Sequence, residues 1–283
     1  MDGKGGSRIT FWYGCNVLRH GDIIHSCLDI LRALGFDAAP AGGPDYCCGT
    51  VKDANQAAAG GMATRTVGRF NAMERERVVA WCPSCHSHMH DFMGQANERK
   101  FGMTYFIELL HEERAKLKPL LKNPVPMRVA LHKHVGFQDL VPVNRLAPEL
   151  LSLIPGVEVR EHEHVSPGYM CASFAGMPQA LKDINGAMVA AAKETGADAA
   201  VTLFHQCYRE LCGLDAAGIV PVYNYVHLIA KSMGLAYEDE YKAWKRSPDQ
   251  AAAMIGPERL AKVGVQFYER AILPELRKRP DVS

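Results

Sequence analysis

The stretch RVVAWCPSC (residues 77–85) is a short apolar run that ends at a Cys-x-x-Cys pair. The opening run ITFWYGC (residues 9–15) has the same form and ends at Gly14 and Cys15. Short runs of apolar and β-branched residues bounded in this way are typical of buried strands. Sites in open parallel sheets gather at the carboxyl ends of strands, so we expect Cys15 and Cys82 to lie at one such edge.

Strands and helices alternate along the chain. Helical spacing of apolar residues predicts helices over 22–34, 53–73, 147–153 and 178–195. Short apolar runs predict strands over 9–15, 36–40, 77–81, 128–131, 157–159 and 199–203. This alternation predicts an α/β fold with a mainly parallel sheet flanked by helices.

The second half of the sequence repeats landmarks of the first. Cys48 and Cys171 are 123 residues apart, and Cys85 and Cys207 are 122 apart. The segment FIELL (106–110) recurs as YVHLI (225–229) at an offset of 119. Near-constant offsets indicate an internal duplication. We predict two related α/β domains, residues 1–123 and 124–237, followed by a helical tail over residues 238–283.

Composition narrows the classes of function. The 283 residues hold 32 Lys+Arg against 31 Asp+Glu, which is not the basic excess of a nucleic-acid-binding protein. The sequence has no apolar run long enough to cross a bilayer, and its N-terminal residues lack the apolar segment of a signal peptide. We expect a soluble, cytoplasmic protein that binds neither nucleic acid nor a membrane.

Five of the nine cysteines fall in short motifs of the first half: Cys15, Cys47, Cys48, Cys82 and Cys85. Thiolates are soft ligands, and several that converge select zinc or iron–sulfur. Gly49, directly after the adjacent pair, lets the backbone turn closely against a metal. Because tetrahedral zinc takes only four ligands, five thiolates favour a polynuclear cluster.

The order Cys15, Cys47-Cys48-Gly49, Cys82-Pro83-Ser84-Cys85 resembles the cysteine-rich CCG domain. That domain occurs in duplicate in the B-type subunit of heterodisulfide reductase, and also in iron–sulfur subunits of glycolate and lactate oxidation. The gap before the last motif is a few residues shorter here than in the usual pattern. The resemblance implies a non-cubane [4Fe–4S] cluster on these five cysteines, and we assign Cys47 and Cys48 a catalytic role as well.

The resemblance also implies a function and partners. The B-type subunit of the family splits a disulfide and takes electrons from a ferredoxin-like C-type subunit with cubane clusters. With only one complete motif, the chain resembles the second B-type subunit of the bacterial sulfur-oxidising heterodisulfide-reductase-like complex. We expect an oxidoreductase subunit that works beside the A-type flavoprotein of such a complex. Its substrate would be a disulfide, or a persulfide on a sulfur-carrier or lipoyl-bearing protein.

The second copy of the motif is incomplete. In register, Val135 replaces the first cysteine, and Met170-Cys171-Ala172 replaces the Cys-Cys-Gly. Phe204 and Cys207 replace the last pair. A second non-cubane cluster is therefore not expected, which argues against disulfide scission between two clusters in this chain.

Five residues are candidates for a different second site: His132, His134, Cys171, His205 and Cys207. Two thiolates with imidazoles suit zinc or another single metal. Alternatively, Cys171 and Cys207 form a redox-active thiol pair or accept sulfane sulfur, with Cys212 close in sequence. We favour a third interpretation, in which the site has decayed to a packed or merely polar cavity.

Other cysteine and histidine residues are not predicted to bind metal. Cys27 is predicted to be a small buried hydrophobic residue of the first helix. His86, His88 and His90 are predicted to lie on the surface or behind the ligands, and His162 and His164 on an exposed strand edge.

Two other functions stay open on the sequence. One is an electron-transferring iron–sulfur subunit of a complex that oxidises a 2-hydroxy acid such as glycolate or lactate. The other is a zinc-stabilised assembly module without a redox role, against which the count of five thiolates argues. The sequence has no dinucleotide fingerprint or flavin signature, so electrons are expected to arrive through a partner.

Overall fold

The computed structural model describes residues 6–49, 55–235 and 237–279. Eight strands in this part of the chain form two four-stranded sheets: β1 (Arg8–Gly14), β2 (Asp37–Gly42), β3 (Arg77–Ala80) and β4 (Gly102–Tyr105), then β5 (Met127–His132), β6 (Val157–Arg160), β7 (Ala199–Thr202) and β8 (Val222–Asn224). The spatial order is β2-β1-β3-β4 in the first sheet and β6-β5-β7-β8 in the second. Every strand pair is parallel. The shared order confirms the predicted α/β fold with two pseudo-duplicated halves.

Helices connect the strands and flank the sheets. Those of the first half are α1 (Gly21–Ala33), α2 (Gln56–Ala72), α3 (Pro83–His88), α4 (Gly94–Ala96), α5 (Phe106–Glu112) and α6 (Arg114–Leu117). Those of the second half are α7 (Val143–Leu151), α8 (Pro178–Glu194), α9 (His205–Ala216) and α10 (Tyr225–Met233). The tail adds α11 (Glu240–Arg246), α12 (Ala251–Ile255), α13 (Pro257–Val263), α14 (Val265–Phe267) and α15 (Leu273–Arg277). Within the described ranges, no helix is both long enough and apolar enough to cross a bilayer.

Three elements differ from the sequence-based expectations. The sequence pattern does not predict strands β4 and β8, because four and three residues are too short to show a period. Helix α7 begins at Val143, directly after Pro142, rather than at residue 147. Pro148 lies inside this helix and favours a later start, but burial of the apolar face overrides that local signal. Residues 53 and 54 of the predicted second helix lie outside the described part of the chain.

The register of the sheets aligns the two halves residue by residue. Trp12 pairs with Ala80 across β1 and β3, and His132 pairs with Thr202 across β5 and β7. In both halves the next helix, α3 or α9, begins three residues after the paired residue of the preceding strand. His132 therefore occupies the position that Trp12 has in the first half, and the residues that follow correspond in the same order.

The two halves pack against each other through a shared core. The rings of Trp81 and Tyr225 stack across the boundary with centroids 5.7 Å apart. Beside them, His227 Nε2 of α10 lies 2.7 Å from the buried Asp22 Oδ2 of α1. Burial raises the pKa of Asp22, but the hydrogen bond and charge of His227 outweigh that effect and lower it below its ordinary value. This polar contact joins the halves inside an apolar interface.

Replacing the buried carboxylate should loosen that interface. We expect Asp22→Ala to lower the free energy of unfolding by about 2 kcal/mol, because it leaves the His227 ring nitrogen without its partner. The matched control is Glu258→Ala, which removes an exposed carboxylate paired with Lys262 and should cost less than about 0.5 kcal/mol. Chemical denaturation at neutral pH measures both values. An equal decrease in the free energy of unfolding in the two variants would contradict a structural role for the buried Asp22–His227 pair.

Candidate functional site

The loop that carries Cys47 and Cys48 is held by hydrogen bonds from two other elements. Trp12 Nε1 of β1 donates to the backbone carbonyl of Tyr46 at 3.0 Å. Thr66 Oγ1 of α2 donates to the backbone carbonyl of Cys47, also at 3.0 Å. These bonds satisfy carbonyl groups that have no strand or helix partner and fix the direction in which the loop presents its two thiols.

Cys82 and Cys85 stand where β3 passes into α3. Cys82 is the N-cap residue of the helix, and Cys85 lies in its first turn; both are buried. Pro83 at the first helical position has a backbone angle suited to a helix start. The chain therefore places both thiols at the carboxyl edge of the sheet, as the sequence predicts.

The five cysteines of the first half form one connected group. Their side chains interact in sequence: Cys15 with Cys47, Cys47 with Cys48, Cys48 with Cys85, and Cys85 with Cys82. Cys15 and Cys47 are partly exposed, and the other three are buried. The structure thus brings together all five residues that the sequence singles out as ligands.

Gly14 leaves open the space in front of two of these thiols. Its φ of +80° belongs to the left-handed region that glycine tolerates best. A Cβ at this position would lie 3.1 Å from Cys82 Cβ and 3.3 Å from Cys85 Sγ. The end of β1 thereby forms a cradle that any side chain would fill, and a cradle lined by thiols fits an iron–sulfur cluster.

Within this group the thiols oppose one another's ionisation. Burial, together with the charges of Cys47 and Cys82, raises the pKa of Cys15 to about 11. The pKa of Cys85 is raised well above its ordinary value by its hydrogen bonds with Cys48 and Cys82 and by burial. The pKa of Cys82 is lowered instead, because Cys85 and the first amides of α3 stabilise its thiolate. A bound cation offsets such repulsion and releases the protons, so this donor set suits metal ions of high charge.

A second group lies in the other half and consists of His132, His134, Cys171 and Cys207. Their ligand atoms all lie within 4.8 Å of one another, and all four residues are buried. His134 Nε2 is 3.3 Å from Cys207 Sγ, and His132 Nε2 is 3.2 Å from Cys171 Sγ. Four donor atoms that converge in this way suit a metal ion better than the decayed cavity that the sequence alone favours.

Electrostatic effects in this second group favour a thiolate. Burial raises the pKa of Cys207, but hydrogen bonds from Cys171 and both histidines, with the charge of His134, outweigh burial and bring it well below its ordinary value. The pKa of Cys171 is raised well above its ordinary value, chiefly by its hydrogen bond with Cys207. One proton is therefore shared unequally between the two sulfur atoms.

His205 does not belong to this group, contrary to the sequence-based expectation. It is the first residue of α9, and Cys207 follows two positions later. Residues two positions apart on a helix do not face the same side, so one centre cannot receive both side chains. Among the described residues, neither ring nitrogen of the buried His205 finds a hydrogen-bond partner, and burial keeps its pKa well below the ordinary value.

The histidines after the Cys-x-x-Cys pair differ from one another. His90 is exposed. His88 Nδ1 lies 3.4 Å from the backbone carbonyl of Cys48, against the loop that carries Cys47 and Cys48. His86 is buried against Tyr105, with ring centroids 5.5 Å apart. The three therefore do not share one environment.

The expected exposed edge at His162 and His164 is wrong. Both residues follow β6, which ends at Arg160, and both are half-buried. His162 Nε2 lies 2.9 Å from the backbone carbonyl of Leu131, because the chain folds back over β5 at this point. Cys27 is fully buried as predicted.

A cavity of about 860 Å³ opens beside Cys15. Its walls come from α1 and from the tail helices, and they include His25, Trp244 and Phe267. Of the five cysteines of the first group, Cys15 is the one that lines this cavity. A molecule bound there would meet the group at Cys15.

The comparison with protein families agrees with the cysteine spacing. Residues 9–90 match the family model of the cysteine-rich domain named CCG. This segment is similar to the CCG domain. It contains all five thiols of the first group, and together with the Cys/His group of the second half it indicates a metal-binding redox protein.

Comparisons with individual proteins add little to the CCG match. No curated protein is similar enough to this sequence to match it. A glycine-to-cysteine variant of arylmalonate decarboxylase, in its sulfate-associated form, is 15% identical with a TM-score of 0.29, over 82% of this chain and 95% of its own. A further arylmalonate decarboxylase structure is 16% identical with a TM-score of 0.25, over 82% and 94% of the two chains. These likenesses are too low to assign an activity.

The cradle at Gly14 can be tested with one added methyl group. We expect Gly14→Ala to lose more than half of the iron bound per chain, because its Cβ meets Cys82 and Cys85. The matched control is Gly35→Ala, which has a φ of +93° and no heavy atom within 4 Å of the added Cβ. Both variants carry a similar backbone strain of about 1–2 kcal/mol. Equal iron contents after anaerobic purification would contradict the cradle.

Proposed function

We propose that this protein is an iron–sulfur redox subunit of a heterodisulfide-reductase-like complex in cytoplasmic sulfur metabolism. In this proposal Cys15, Cys47, Cys48, Cys82 and Cys85 hold one non-cubane [4Fe–4S] cluster. The observation that carries it is the connected group formed by the side chains of five cysteines, since a single tetrahedral ion takes only four ligands. The CCG match over residues 9–90 supports the same conclusion.

Each part of the CCG domain has a distinct task in this proposal. When bound, the cluster supplies one-electron redox chemistry at the carboxyl edge of the first sheet. Gly14 leaves space in front of Cys82 and Cys85 that a cluster would occupy, while Trp12 and Thr66 fix the backbone of the loop that carries Cys47 and Cys48. Burial of Cys48, Cys82 and Cys85 excludes water from most of the ligand set.

We propose that the substrate is a disulfide or a carrier-bound persulfide that reaches the cluster through the cavity beside Cys15. The cavity has a volume of about 860 Å³ and is partly lined by aromatic side chains such as Trp244 and Phe267. Reduction of a disulfide to two thiols consumes two electrons and two protons. A cluster held by the five cysteines would supply these electrons one at a time, and the protons would come from solvent in the cavity.

The partners in this proposal supply what the chain lacks in its own sequence. A ferredoxin-like C-type subunit with cubane clusters would exchange electrons with this protein, and an A-type flavoprotein would belong to the same complex. A sulfur-carrier or lipoyl-bearing protein would present the substrate. The absence of a dinucleotide or flavin fingerprint in the sequence supports the need for such partners.

Removing one thiol tests the ligand set. We expect Cys48→Ser, purified without oxygen, to fall from about four iron atoms per chain to below about one and to lose the visible absorption of the cluster. The matched control is Cys27→Ser, an equally buried thiol in α1 outside the group, which should keep both. An unchanged spectrum and iron content in Cys48→Ser would overturn the ligand assignment.

A substrate assay separates this proposal from the alternative in 2-hydroxy-acid oxidation. We expect the chemically reduced protein to be reoxidised by a small disulfide or by a lipoyl-bound persulfide, with two electrons consumed per disulfide. Cys15→Ser should abolish that reaction. Reoxidation that fails with every sulfur compound, together with copurification of a flavoprotein that oxidises glycolate or lactate, would contradict a sulfur substrate.

A further inference from the structure

We propose that His132, His134, Cys171 and Cys207 bind a single zinc ion in a closed tetrahedral site in the second half. This inference is independent of the cluster proposed for the first half. The four ligands come from the end of β5, from the loop after β6 and from α9, which are far apart in sequence. A bound ion would join these three elements at the edge of the second sheet.

The distances between the donor atoms are within a few tenths of an ångström of those in a tetrahedral zinc site. Zinc binds histidine nitrogen at about 2.0–2.1 Å and cysteine sulfur at about 2.3 Å, so neighbouring ligand atoms lie about 3.3–3.8 Å apart. The distance between the two Nε2 atoms of His132 and His134 is 3.0 Å. The three measured nitrogen–sulfur distances are 3.2, 3.3 and 3.7 Å. Movements of a few tenths of an ångström would complete the tetrahedron.

The protonation of His134 shows why a cation belongs at the centre. Its Nδ1 lies 2.9 Å from the backbone carbonyl of Pro167, and a carbonyl only accepts, so Nδ1 carries the proton. In the neutral imidazole the opposite nitrogen, Nε2, then has a lone pair that faces its neighbours, and the proton that Nε2 carries when it donates to Cys207 is the one that a bound cation would displace. Three other donor atoms surround this nitrogen: Nε2 of His132 and the Sγ atoms of Cys171 and Cys207. Hydrogen bonds cannot satisfy all three contacts at once, whereas one ion can accept every lone pair.

The correspondence between the two sheets explains why this site holds an ion and not a cluster. Two residues after the aligned Trp12 and His132 stand Gly14 and His134. A Cβ on Gly14 would lie 3.3 Å from Cys85 Sγ, and the imidazole of His134 lies 3.3 Å from Cys207 Sγ. The histidine thus fills the space that is open in the CCG domain, and only a single ion fits between the remaining donor atoms.

The ligand types and their burial select zinc and a structural role. Two thiolates with two imidazoles form the Cys₂His₂ set of structural zinc sites, and four protein ligands leave no position for water or substrate. The four residues are at most 1% exposed. The backbone amide of Cys171 also donates to Cys207 Sγ at 3.3 Å, as expected for a sulfur that bears negative charge.

The full chain, purified without oxygen, provides the test in its natural form. We expect about one zinc per chain, and X-ray absorption at the zinc edge should show two sulfur atoms at about 2.3 Å and two nitrogen atoms at about 2.0–2.1 Å. Cys171→Ser should lower the affinity for zinc at least about tenfold and leave the iron content unchanged. The matched control is Cys212→Ser, a buried thiol of α9 outside the group, which should retain zinc.

Several outcomes would overturn the zinc site. They are a chain without zinc, a zinc environment with other ligands, and zinc retained with unchanged ligands in Cys171→Ser. A Cys171–Cys207 disulfide found by mass spectrometry in the anaerobic protein would show a redox thiol pair instead. Because absorption at the zinc edge uses the unmodified chain, the test does not depend on a variant that folds. A protein that lacks iron but retains zinc would contradict the cluster proposed for the first half and leave the zinc site supported.

Discussion

The space at the end of each central strand decides what each half of the molecule can bind. In the first half that space is open, because Gly14 carries no side chain in front of Cys82 and Cys85. In the second half the imidazole of His134 occupies it and lies against Cys207. The strand order and register of the two sheets are the same, so the difference comes from side chains at aligned positions rather than from the fold.

Crowded thiols impose the second constraint on the molecule. Buried sulfur atoms that contact one another cannot all ionise, as the raised pKa values of Cys15 and Cys85 show. Ligand sets of this kind gain their stability when a cation replaces the protons, so metal binding and folding are coupled. The loop of Cys47 and Cys48 is accordingly held by hydrogen bonds to its backbone carbonyl groups rather than to its thiols.

Sequence reasoning predicts the fold well, and it singles out the five cysteines that the structure brings into one group. Alternating strands and helices, near-constant offsets and motif spacing indicate the duplicated α/β architecture and the five converging cysteines. The same reasoning misses β4 and β8, which are stabilised by pairing inside their sheets rather than by a local pattern. It also includes His205, because nearness in sequence says nothing about which side of α9 a residue faces.

The second site is the hardest part to predict. A count of the cysteines suggests that the second half has lost its metal site, since only two of the five cysteines are kept at the aligned positions. The compensating change is the pair His132 and His134, whose alternation at the end of β5 sends both rings toward the same sulfur atoms. The sheet register confirms that His134 stands where the first half has Gly14, and this histidine provides a ligand in place of the missing cysteines.

The most direct test of this account is the amount of iron, acid-labile sulfide and zinc per chain in anaerobically purified protein. The account predicts about four iron and about four sulfide from one cluster in the first half, with about one zinc from the second. About eight iron atoms without zinc would show that both halves bind clusters and that His134 does not exclude one. Zinc alone, without iron, would contradict the redox function itself.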